Sequence, residues 1–166
     1  MNIFILDLNF KRCAQYHCDK HVIKMILEGV QIICSALHLH GHTTPYRPTH
    51  QKHPCVLWVA ESYENLLWTQ ELMLALNEEY RYRWQRQKDH ASIEVLRQIR
   101  GKRYANNGLT EFVQAMPEQY RVPQNAVAAY RRYYIAEKLK FATWKHRAVP
   151  LWIVPATGSP PHSAES

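Results

Sequence analysis

Residues 14–39 read AQYHCDKHVIKMILEGVQIICSALHL, and this stretch decides the fold class. Val22, Ile26, Ile33 and Leu37 recur at helical spacing, and Ile23, Leu27 and Val30 beside them widen the apolar face. A helix from about Ala14 to Leu39 with so broad a face is expected at the centre of the core. Upstream, Ile3-Phe4-Ile5-Leu6 is an apolar extended arm that ends at Asp7-Leu8-Asn9 and is too short to build a sheet alone. Downstream, Gly41 and the run from His42 to His53 form a basic loop with two prolines and no periodicity. Pro54 then suits the first position of a second helix running through Trp58, Tyr63, Leu66, Leu67, Leu72, Leu74 and Leu76 to about Arg83.

A charged helical segment from His90 to Arg100 stops at Gly101, and Asn106-Asn107-Gly108 is a turn signal. Met116-Pro117 and Val122-Pro123 bracket a connector. A last helix from Asn125 to about Lys145 carries Val127, Tyr130, Tyr134 and Phe141 on one side. The expectation is an all-α fold: one compact helical domain over residues 1–154 with a short extended N-terminal arm, and a disordered tail over 155–166.

With 46% apolar and 21% charged residues in 166, the chain is neither a disordered tail nor a multidomain enzyme. Twenty-one Lys and Arg against fourteen Asp and Glu give +7. The partner this predicts is a polyanion, nucleic acid before any other, and not a hydrophobic metabolite. Uninterrupted apolar runs such as Ile3 to Leu6 are far below the ~18–20 residues of a membrane span, and a signal-peptide pattern is absent. The expectation is a cytoplasmic protein with no membrane and no obligate protein partner. Cys13, Cys18, Cys34 and Cys55 are then expected as thiols.

At 100° per residue, His17, His21, Lys24, Glu28, Gln31 and Ser35 share a narrow arc of the first helix. One reading is the solvated face of an amphipathic helix, with Lys24 and Glu28 as a marginal i,i+4 ion pair. The other is a functional stripe, because two imidazoles, an ammonium and a carboxylate lie within acid–base reach of each other. A metal reading takes His17, Cys18 and His21 with Asp19, His50, His53 or Cys55, but lacks any C-x-x-C or H-E-x-x-H spacing.

Arg47, Thr49, His50, Lys52 and His53 precede a helix N-terminus and form a candidate phosphate grip beside Tyr46. The competing account is a loop made basic for solubility. Arg81 and Arg83 alternate with Tyr80, Tyr82 and Trp84, a pattern suited to stacking on bases while neutralising phosphates. They are expected beside the loop. On the last helix, Tyr130 and Tyr134 belong to the core, leaving Arg131, Lys138 and Lys145 as further candidate DNA contacts.

Taken in order, Met1-Asn2-Ile3-Phe4, Met25-Ile26-Leu27-Glu28, His53-Pro54-Cys55-Val56 through Glu79-Tyr80-Arg81-Tyr82-Arg83, and Glu137-Lys138-Leu139 through Trp144 to Pro150-Leu151-Trp152 resemble the pyrimidine-dimer DNA glycosylase (endonuclease V) family of bacteriophages and some bacteria. The resemblance touches about half of the chain and is discontinuous. It implies a compact all-α DNA repair enzyme that flips a nucleotide at a damaged or modified pyrimidine in double-stranded DNA, without a cofactor. It also implies an N-terminal α-amine that attacks the sugar C1′ and forms a Schiff base, with Glu28 assisting. An α-amine in general, with a pKa of ~8, is neutral at pH 7 far more often than a lysine. Asn2 disfavours removal of the initiator methionine, so the amine here would be that of Met1 or would take no part in the mechanism.

Three function classes follow. The first is a glycosylase or glycosylase/AP lyase with Glu28 as acid–base residue and His21, Lys24 and Met1 close by. The second is a non-catalytic nucleic-acid-binding protein, and the third a zinc-dependent hydrolase. A Glu28 exposed on a convex face favours the second; a Glu28 at the floor of a basic cleft favours the first.

Overall fold

The computed structural model describes residues 1–153; the expected tail at 155–166 lies outside the described residues. Six helices follow in order: α1 (Phe10–Tyr16), α2 (Asp19–Leu39), α3 (Pro54–Glu61), α4 (Tyr63–Arg83), α5 (Ala91–Ile99) and α6 (Ala126–Glu137). Two single 3₁₀ turns, Glu118–Tyr120 and Leu139–Phe141, complete the set, and the described residues hold no strand. The fold is all-α, and α2 is its axis, packed by α3, α4 and α5, while α1 lies on α4. By length and composition α2 would also suffice to cross a membrane, but most of its apolar surface is buried in this core. At Gly29 the approach to α4 is close enough that a Cβ would lie 2.1 Å from Met73 Sδ.

Three expected helices are shorter or divided. The first breaks at His17-Cys18, both extended. There the carbonyls that a longer helix would satisfy are taken by side chains. His17 Nδ1 bonds Cys13 O (2.7 Å), Arg83 donates to Gln15 O (3.0 Å) and His17 O (2.8 Å), and Trp144 Nε1 donates to Tyr16 O (2.9 Å). The second breaks at Ser62, whose hydroxyl accepts from Glu64 N–H (3.3 Å) and Asn107 N–H (3.1 Å) while Asn65 clasps Thr110. The irregular strap from Arg100 to Asn125 thus docks into the α3–α4 corner. The last helix ends at Glu137 instead of Lys145, because the chain turns to bring Thr143 O to Asp19 N–H (2.8 Å) and Trp144 under α1.

The arm is extended as expected and fully interior: Ile3, Phe4, Ile5 and Leu6 are all buried. It runs between α2 and α6. Phe4 stacks on His21 of α2 (4.6 Å between centroids) and on Tyr133 of α6 (6.2 Å), and Arg131 Nε donates to Leu6 O (2.9 Å). Burial on two faces holds the arm without any ladder of backbone hydrogen bonds.

Candidate functional site

Because the arm is fixed along its length, its free end is fixed too. The Asn2 carboxamide donates to Ala115 O (2.8 Å), and its oxygen accepts from Ile3 N–H (2.8 Å) and the Tyr130 hydroxyl (2.9 Å). These bonds set the terminal amine 3.7 Å from Glu28 Oε2, with the Met1 and Glu28 side chains 8% and 16% exposed. Lys24 Nζ lies 3.9 Å from the other oxygen and is 57% exposed. Glu28 Oε2 is buried and has no hydrogen-bond partner, so it offers a free acceptor directly beside the amine.

The N-terminus of α3 closes one side. His53 caps that helix, its Nδ1 accepting from Cys55 N–H (3.0 Å), so the ring proton is placed on Nε2. Burial first, then the positive amine of Met1 and His50, hold the His53 pKa below the usual imidazole value. The preceding loop is tied to α2 by Thr49, whose N–H donates to Ser35 Oγ (2.9 Å) and whose carbonyl accepts from it (3.0 Å). His50 adopts a left-handed φ of 47°, with its Nδ1 2.8 Å from Thr49 Oγ1. Arg47 and Lys52 are exposed on this loop and make no ion pair among the described residues.

Other sequence candidates land elsewhere. His21 is in the core and does not join Glu28: its Nδ1 meets the Tyr134 hydroxyl at 2.9 Å, and burial lowers its pKa to about 3. His17 and Ser35 are buried as well, so the polar stripe faces inward at both ends. The exposed face of α2 runs instead through Lys20, Ile23, Lys24 and Leu27. Arg83 is no phosphate ligand: it is fully buried, pairing with Glu79 (2.9 Å) and Asp19 (3.0 Å). Nor does it lie beside the loop, since it is held at the start of α2 and the loop at Ser35, 16 residues or about 24 Å further along the helix. Arg81 pairs with Asp89 (3.5 Å), and Arg131 with Asp7 (3.2 Å) beneath Trp152. The side chain of Lys145 is exposed while its N–H caps Asp19 (2.9 Å). Lys138 lies over Tyr133 (5.0 Å) and joins Lys20 and Lys24 around His21, whose pKa all three depress.

The residues of the metal reading lie apart. His17, Cys18 and His21 turn to Cys13 O, the core and Tyr134, and among the described residues no three His, Cys, Asp or Glu side chains converge. A cleft of about 710 Å³ lined by Pro54, Phe112, Gln114, Arg121 and Gln124 also carries Glu111 and Glu118 and includes none of the amine-site residues. Sequence reasoning missed Asn2, Tyr130 as its anchor, and Lys20. Only a polar residue opening an apolar arm hinted at the first.

No family model, curated protein or solved structure matches the chain.

Proposed function

We propose that the chain is a DNA-processing enzyme of glycosylase or glycosylase/AP lyase type, acting in the cytoplasm on a damaged or modified pyrimidine in double-stranded DNA. The observation that supports this most is the Met1 amine held 3.7 Å from a sheltered Glu28 carboxylate. The resemblance to the pyrimidine-dimer glycosylase family stands as a further reason to propose it. An amine nucleophile needs an acceptor for its proton and a neighbour that keeps it oriented; Glu28 and Asn2 supply these. In the reaction the nitrogen attacks C1′ as the glycosidic bond breaks, and the base departs with the bonding pair. Glu28 takes a proton from the attacking nitrogen and returns one to the ring oxygen as the sugar opens to the iminium. Lys24, largely exposed, is placed to meet phosphate, and Arg47, Lys52, His50 and His53 to meet the strand beyond.

The test is incubation of the purified full chain with damaged, abasic and undamaged duplexes under borohydride. The expected result is a reduced covalent adduct on the damaged or abasic strand whose peptide map ends at Met1. The absence of both an adduct and a released base on every duplex overturns the reading.

A further inference from the structure

Singly exposed leucines are ordinary on a protein surface and carry no meaning. Ile23 and Leu27 differ. At 40% and 39% exposed, they are the one pair of large exposed aliphatics a single turn apart on one helix among the described residues. They form a row on α2, and Lys20, Lys24 and Glu28 form the adjacent row at steps of four. Rows of this kind advance about 6 Å per step. The lysine row therefore ends at the carboxylate that faces the amine, and the aliphatic row runs beside it. Lys20 is held over the Phe141 ring (4.8 Å), and Lys24 is tied only by a weak exposed ion pair.

We propose that Ile23 and Leu27 are a wedge that enters a double-stranded nucleic acid beside the nucleotide presented to Met1 and Glu28, while Lys20 and Lys24 hold the flanking phosphates. This rests on the DNA-processing reading above and adds the means by which a nucleotide leaves the stack. An apolar side chain between base steps replaces broken stacking and kinks the duplex, which a row of charged residues alone does not do. The charge of the surround selects the occupant: an apolar pair bordered by Lys20 and Lys24 fits a polyanion with apolar faces inside, which is what stacked base pairs are.

The experiment uses the full chain and a duplex with 2-aminopurine beside a tetrahydrofuran abasic analogue. Wild type is expected to raise the 2-aminopurine fluorescence. Ile23→Ala/Leu27→Ala is expected to abolish that rise and weaken duplex binding about tenfold or more, with an unchanged melting temperature. Ile23→Leu/Leu27→Ile, which keeps the apolar volume, is expected to restore it. The alanine pair should still be trapped by borohydride on a single-stranded abasic oligonucleotide, where no stack has to be opened. A wild type that neither binds nor is trapped overturns the function and the wedge together. A wild type that is trapped on duplex, with the alanine pair indistinguishable from it in fluorescence and binding, overturns the wedge alone.

Discussion

Glu28 touches two positive groups of unequal weight. Its contact with the terminal amine is sheltered, at 3.7 Å, whereas Lys24 at 3.9 Å swings in solvent and adds little. Glu28→Gln keeps the shape and removes the proton acceptor, so turnover is expected to fall at least a hundredfold while DNA affinity stays within about twofold. Undiminished turnover in a single-turnover assay would remove the carboxylate from the chemistry. The two core histidines make a separate forecast. Burial lowers His17 to about 4 and His21 to about 3, so between those values and the ordinary 6.5 the unfolded chain binds protons that the folded one refuses. Their stabilisation is whole above pH 6.5 and is lost on acidification, by roughly 2 kcal/mol each at pH 5. The melting temperature is expected to drop between pH 7 and 5, and less so in His21→Phe; a flat profile would contradict the buried neutral rings. At this scale the sequence carries Glu28 and Lys24 by helical phase. It does not carry the inward turn of His21, because phase about one helix says nothing of what the arm and α6 lay over it.

The elements show where periodicity stops informing. The stretches of α2, of α3 with α4, and of α6 are read from apolar spacing, α5 from a charged run that stops at Gly101, and Pro54 marks the start of α3. The breaks at His17-Cys18 and Ser62 cannot, since neither carries Gly or Pro and both are stabilised by side chains distant in sequence: Arg83 and Trp144 at one, Asn106, Asn107 and Thr110 at the other. Arg83 misleads for the same reason. Its alternation with tyrosines resembles a nucleic-acid contact until the break between α1 and α2 is known to need a donor. Arg83→Met leaves Gln15 O, His17 O and Asp19 without it, an expected loss of about 3–5 kcal/mol. Thermal unfolding should show a midpoint lower by about 10 °C, on the ~2–4 °C per kcal/mol expected at this chain length. An unchanged midpoint with weakened DNA binding would return Arg83 to the surface.

Across the described residues six of the twelve arginines stand in ion pairs, against one of the nine lysines. Arg12, Arg81, Arg83, Arg97, Arg131 and Arg147 are engaged with carboxylates, whereas among the described lysines Lys24 alone makes an ion pair. Planar guanidinium forks suit such internal pairing; cationic groups left unpaired in solvent are those with counterions to release. Lys20, Lys24 and Lys138 surround His21, and of the three Lys24 also reaches the Glu28 carboxylate that faces the amine. Duplex affinity is expected to fall steeply with salt, the slope of log K against log salt reporting the phosphates engaged. Lys20→Gln/Lys138→Gln should make that slope shallower by about two, one for each phosphate no longer neutralised. Arg81→Gln/Arg97→Gln, whose guanidiniums serve Asp89, should leave it unchanged. Fluorescence anisotropy with a labelled abasic duplex from low to physiological salt measures all three proteins. A slope that responds to the arginine pair and ignores the lysine pair would move the DNA to the α4–α5 side and away from Met1 and Glu28.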